Sequence, residues 1–252
     1  MKPISLQLYS VRDACAVDFP GTCKKVADIG YTGVELAGLH GMTAAQAKAM
    51  FDDLGLKVSS QHGPLPTQEN VEQLVADCKT FGISQTVTGF GPDDMKTVDA
   101  TKACAAKMQA GAELLKGTGI ELCYHNHWWE FEPLEGQCAF DILMAEAPDL
   151  RAQLDTYWCT FGGADAAAVL KRYGKRIPLL HIKDGPLVPG QPHPHTAVGK
   201  GKMDFPAVIA AADPSVCQWL IVELDSCATD MMEAVADSYK YLVGSGLASG
   251  NK

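Results

Sequence analysis

Apolar and polar residues follow two periods that take turns along this chain. Short runs with strand-like spacing are ISLQLY (4–9), GVEL (33–36), KVSSQH (57–62), QTVTGF (85–90), IELCYHNH (120–127), RAQLDT (151–156), IPLLHIK (177–183) and WLIVEL (219–224). Between them lie stretches with helical spacing, such as FPGTCKKVADIG, TAAQAKAMFDDLG, TQENVEQLVADCKTFG, TKACAAKMQAGAELLKGTG, GADAAAVLKRYG and DMMEAVADSYKYLVG. Several of these end in Gly where a left-handed C′ residue is wanted, and Thr43 and Thr67 stand where an N-cap belongs. Eight βα units in 252 residues predict an α/β chain folded as a single (β/α)8 TIM barrel over residues 1–252. A doubly wound open sheet is the rival, but no GxGxxG follows the first strand to support a dinucleotide site.

Composition narrows the partners more than the fold. The chain is 47% hydrophobic and 20% charged, which is ordinary for a packed core. Its formal charge of −9 gives no general attraction to phosphate backbones or anionic lipid, so neither nucleic acid nor membrane is expected as a partner. The opening MKPISLQLYSVRD has no continuous apolar segment, and no run approaches the roughly 18 apolar residues of a spanning helix. The nine cysteines form no CxxC pair and no zinc-finger spacing, which predicts reduced core cysteines in a cytoplasmic protein.

If the barrel forms, chemistry belongs at the C-terminal ends of its strands. The residues there are Gln7 and Tyr9 with Arg12 beyond, Glu35, Gln61 and His62, His125 and His127, Asp155, His181 with Lys183 and Asp184, and Glu223 with Asp225. Asp155, His181 and Glu223 each close a mostly apolar run, in RAQLD, IPLLH and WLIVE, where a lone ionisable group would be costly. Carboxylate, imidazole and carboxylate on consecutive strands suit a divalent ion such as Mn, Zn, Co or Mg. In CYHNHWWEFEP (123–133), His125 and His127 fall two residues apart on one strand face. Trp128 and Trp129 serve equally as an apolar wall over a sugar ring or as loop packing. His193 and His195, in PHPH, read as a solvated loop, and GKG (199–201) is a weak phosphate signal, with Lys183, Lys200 and Lys202 adding charge nearby.

The segments LQLYSVRD (6–13), GYTGVEL (30–36), YHNHWWEFEP (124–133), LDTYW (154–158), RIPLLHIKD (176–184), VGKGKMDFPAV (198–208), IVELD (221–225) and SYKYL (238–242) together resemble the sugar phosphate isomerase/epimerase family, with its xylose isomerase-like TIM barrel. The resemblance implies a divalent metal held by Glu, Asp, His and Glu at the ends of strands five to eight, and proton abstraction next to a sugar carbonyl. Asp155, His181 and Glu223 match three of those ligands. The fifth-strand glutamate falls on His125, so either His125 ligates or Glu130, five residues on, folds back. A hard oxygen shell favours Glu130. That leaves His125, His127 and Lys183 as catalytic groups and Tyr9, Glu35, His62 and Trp158 as substrate contacts. The expected ligand is a small carbohydrate, free or phosphorylated, and an assembly of identical chains is left open. The rivals are a lyase or dehydratase acting on an inosose or 3-keto-glycoside and a non-catalytic sugar-binding barrel. A DNA-repair endonuclease on the same barrel is disfavoured by the acidic charge.

Overall fold

The computed structural model describes residues 1–188, 190 and 192–252. All the expected strands form: β1 (Lys2–Gln7), β2 (Gly33–Leu36), β3 (Lys57–His62), β4 (Gln85–Thr88), β5 (Glu121–His125), β6 (Arg151–Asp155), β7 (Leu179–Ile182) and β8 (Trp219–Val222). Each runs parallel to the next, and β8 pairs with β1 through Ser5 and Ile221, so the sheet closes into a barrel wrapped by helices. Closure removes the free edges that an open sheet would leave. A further short strand, β9 (Ala248–Ser249), extends the bottom of β1 at Lys2 and Pro3. Two residues are too few to carry a readable period.

Several strands stop before their apolar pattern does. QTVTGF leaves the sheet at Thr88, where a Cβ on Gly89 would lie 2.9 Å from the His125 carbonyl oxygen. Thr43 caps the helix Ala44–Asp53 in a reciprocal capping box with Gln46. Thr67 does not cap: the following helix is Val71–Phe81, preceded by Asn70. Asn70 bonds back to the Thr67 N–H and to the Leu65 carbonyl, closing residues 65–70 into a turn first. Gly82 ends that helix in the left-handed conformation at φ 70°, as a C′ glycine should. The helix Ala139–Glu146 is absent from the helical pattern because Ile142, Leu143 and Met144 are all buried, which erases the period.

Two apolar layers set the height of the functional residues. The larger lies between sheet and helices; the smaller fills the barrel with Val87, Cys123, Leu179 and Ile221, closed below by Trp219. Side chains two residues apart on a strand share a face. The inward residues above Cys123, Leu179 and Ile221 are therefore His125, His181 and Glu223, so a dry floor carries a polar storey. All nine cysteines are free, and seven are buried. No helix among the described residues is long and apolar enough to cross a membrane.

Candidate metal centre and active site

Strand register brings the polar storey together. Asp155 on β6 stands opposite His181 on β7, and His125 on β5 stands opposite Gln153 on β6. One ligand atom from each of His125, Asp155, His181 and Glu223 lies within 4.8 Å of the others, and all four residues are buried. His62, His125 and His181 form a second, overlapping group.

Gln153 fixes the protons in this cluster. Its Nε2 donates to Glu35 Oε1 at 2.6 Å, which leaves its Oε1 to accept. His62 Nε2 and His125 Nδ1 contact that oxygen at 2.8 and 3.0 Å, so both nitrogens carry hydrogen. The His125 Nε2 lone pair is then free for a cation. His181 lies between two carboxylates, with Nδ1 at 2.7 Å from Glu223 Oε2 and Nε2 at 2.5 Å from Glu35 Oε2. Burial works against its charge, but those carboxylates win and push its pKa up to about 10. Asp155 uses Oδ1 to cap the helix Thr156–Phe161 at Trp158 N, while Oδ2 is buried without a hydrogen bond. Burial raises the Asp155 pKa to about 6 despite Lys183 and His181 nearby. Asp155 Oδ2, met only by the Lys183 ammonium at 3.1 Å, faces imidazole and glutamate, and the donor set fits a divalent ion once His181 gives up a proton, as a ligating imidazole must.

Lys183 is held by the same carboxylates. Its Nζ lies 3.1 Å from Asp155, 2.9 Å from Glu223 and 2.9 Å from Asp225. Burial opposes its charge, but the three carboxylates hold its pKa above the usual lysine range, so it is an ammonium with no proton-accepting role. Asp225 is committed as well: its N–H donates to His195 Nδ1, its carbonyl accepts from Arg12, and Oδ2 accepts from Trp158 Nε1.

His125, Asp155, His181 and Glu223 meet; Glu130 does not join them. Tyr124 alternates with His125 and so points out of the barrel, and Glu130 follows it, accepting from the Tyr124 hydroxyl at 2.6 Å and the His127 N–H at 2.9 Å. Glu35 sits under the cluster rather than on the cleft wall. Trp158 lies behind Asp225, and Trp128 packs on Trp158 and Phe161 as loop core. Trp129 stacks on His127 at 4.2 Å. His195 is not solvated: it is buried against Tyr157 and Trp158, while His193 is exposed. The glycine-rich loop offers no amides to a phosphate, because the N–H groups of Gly199, Gly201 and Met203 already donate to the Asp184 carboxylate. Lys200 and Lys202 are exposed. Gln153 is the residue the sequence reading missed, and its signal was the i, i+2 relation to Asp155.

Above the cluster opens a cleft of about 420 Å³ lined by Gln7, Tyr9, His62, Phe90, His125 and His127, with Glu223 and Asp225. Arg12 covers the ring of Tyr9 at 4.2 Å. Two imidazoles on this cleft are tuned apart. Burial, with Lys183 nearby, lowers His127 to about 4, so it is neutral. His62 is raised because Glu35 outweighs the burial that would discharge it.

A family profile described as Xylose isomerase-like TIM barrel matches residues 23–242. The chain belongs to this family. Among solved structures it is similar to two titled sugar phosphate isomerase/epimerase from Parabacteroides distasonis. One is 25% identical with a TM-score of 0.81, over 98% of this chain and 96% of that one. The other is 22% identical with a TM-score of 0.83, over 99% and 100%. A probable 3-DHS dehydratase from Bacillus anthracis shares the fold at 14% identity and a TM-score of 0.73, over 96% and 98%. No curated protein matches the sequence.

Proposed function

We propose that the protein is a divalent-metal-dependent isomerase or epimerase of an unphosphorylated sugar or keto-sugar. The observation that carries this is the buried set His125, Asp155, His181 and Glu223 at the floor of a cleft walled by His62 and His127. An ion held by those four residues would supply Lewis-acid polarisation of a carbonyl or hydroxyl oxygen. Neutral His127 is suited to take a proton from the adjacent carbon, and His62, whose hold on a proton Glu35 strengthens, to return one, because environments that drive two pKa values apart assign base and acid. Lys183 and Asp225 hold each other and are left with positioning. A free sugar rather than its phosphate is supported by the Asp184 carboxylate, which fills the amides a phosphate would need, and by the carboxylates that engage Lys183. Unpaired cysteines support a reducing, cytoplasmic setting, and we read residues 1–252 as one domain.

The test is NMR of candidate free sugars and 3-keto-glycosides in deuterated water with Mn²⁺-loaded protein. Isomerisation or epimerisation puts deuterium on the carbon beside the carbonyl, whereas loss of water or of an aglycone would replace this reading by a lyase. His127→Ala should slow exchange by about 10²–10⁴ with metal content retained. His125→Ala, Asp155→Ala and Glu223→Ala should each reduce bound metal by elemental analysis, and full occupancy in all three would rule the site out.

A further inference from the structure

The cation that occupies the candidate metal oxygens in this structure is a side chain. Asp155 has one oxygen to offer, because Oδ1 is spent on the Trp158 N–H, and Lys183 Nζ lies 3.1 Å from the other. Glu223 Oε2, which meets His181, is also 2.9 Å from Nζ. A divalent ion drawing on Asp155 would need the oxygen that Lys183 holds, and on Glu223 it would share a carboxylate with the ammonium. Two positive centres sharing oxygens in a buried site repel strongly.

The ammonium has somewhere else to go. Asp225 receives it through both oxygens, at 2.9 and 3.0 Å, and the Trp158 ring lies 5.5 Å away on the same side. Arg12 and His195 hold the Asp225 backbone, and Trp158 Nε1 donates to its carboxylate. Because Nζ already contacts both Asp225 oxygens, Lys183 would not have to leave Asp225 to give up Asp155 and Glu223.

Resting on the metal reading above, we propose that Lys183 is a built-in competitor for the divalent ion, and that Asp225 with Trp158 is the dock that receives it when the ion binds. Lys183 balances Asp155 and Glu223 in the metal-free protein and withdraws to Asp225 in the loaded one. Ion affinity is then set by residues that never touch the ion.

Titration calorimetry with Mn²⁺ alone, on apo protein, tests this without any turnover. Lys183→Met keeps the stem and removes the charge, and should tighten Mn²⁺ binding about tenfold or more; Lys183→Gln provides a second neutral variant with the same expected direction. The gain should persist at high salt, because a buried contact is poorly screened. Asp225→Asn should weaken binding about tenfold by sending the ammonium back to Asp155 and Glu223. In the double variant Lys183→Met with Asp225→Asn, that weakening should vanish. Equal or weaker binding in both neutral variants overturns the competition and leaves the metal reading standing. A weakening by Asp225→Asn that survives in the double variant overturns the dock. No Mn²⁺ binding in any of the proteins overturns this proposal together with the metal reading.

Discussion

Glu130 shows how far one side chain's role depends on which side of the barrel wall it falls. Fully buried, it meets two donors, and burial raises its pKa from 4.5 to about 8 even though Tyr124 and the His127 N–H favour the carboxylate. The unfolded chain ionises this group near 4.5, so its protonation favours the folded state below that pH, and the advantage is lost as pH rises through about 8. Glu130→Gln can keep both contacts without the charge. Relative to this variant, the natural protein should lose up to about 5 kcal/mol of stability between pH 4.5 and about 8, read by urea unfolding at each end. A constant difference would show that Glu130 is not neutral in the fold. Asp155, His181 and Glu223 were legible because an ionisable group ending an apolar strand needs a partner. Gln153 was harder to read, since an uncharged amide in RAQLD gives no such alarm and only its i, i+2 relation to Asp155 marks it, and the direction of Glu130 was not legible because periodicity ends where the loop begins.

Elements place these residues more firmly than any local preference does. The strands could be read from the sequence because a barrel strand packs apolar side chains against its helices whatever loop follows it. The loops could not, because their form depends on polar groups far apart in sequence. The segment after β7 is the clearest instance: Asp184 accepts from Gly185, Gly199, Gly201 and Met203, tying together residues up to 19 apart. Gly201 also leaves no room for a Cβ beside Asp184. GKG therefore looks like a phosphate loop in sequence because its amides do bind an anion, one supplied by the chain itself. Asp184→Ala should cost on the order of 2–4 kcal/mol, because four N–H groups, that of buried Gly185 among them, lose their acceptor together. Added sulfate should recover part of that loss in the variant while leaving the natural protein unchanged, as thermal melts in a sulfate series would show. An equal response in both proteins would mean that the amides are not the site of the effect.

At the scale of the molecule, acidity is concentrated where the barrel is driest. Glu35, Asp155 and Glu223 are buried together with Asp225 at their edge, opposed by Lys183 and by an imidazolium at His181. Burial strips solvation from Glu35 and Asp155, so the His181 imidazolium and the Lys183 ammonium balance their charge. A ligand that binds only the folded chain stabilises it in proportion to ln(1 + [L]/Kd), about 2.7 kcal/mol at a hundredfold excess over Kd. For a chain of this length each kcal/mol moves the midpoint by roughly 2–4 °C. Saturating Mn²⁺ should therefore raise Tm by about 5–10 °C over protein stripped with a chelator. Asp155→Ala and Glu223→Ala should abolish that rise, because the floor of the cleft is then no longer a site, whereas Glu130→Gln should retain it. A rise that survived in Asp155→Ala would locate the ion elsewhere, and a rise lost in Glu130→Gln would return that glutamate to the ligand set.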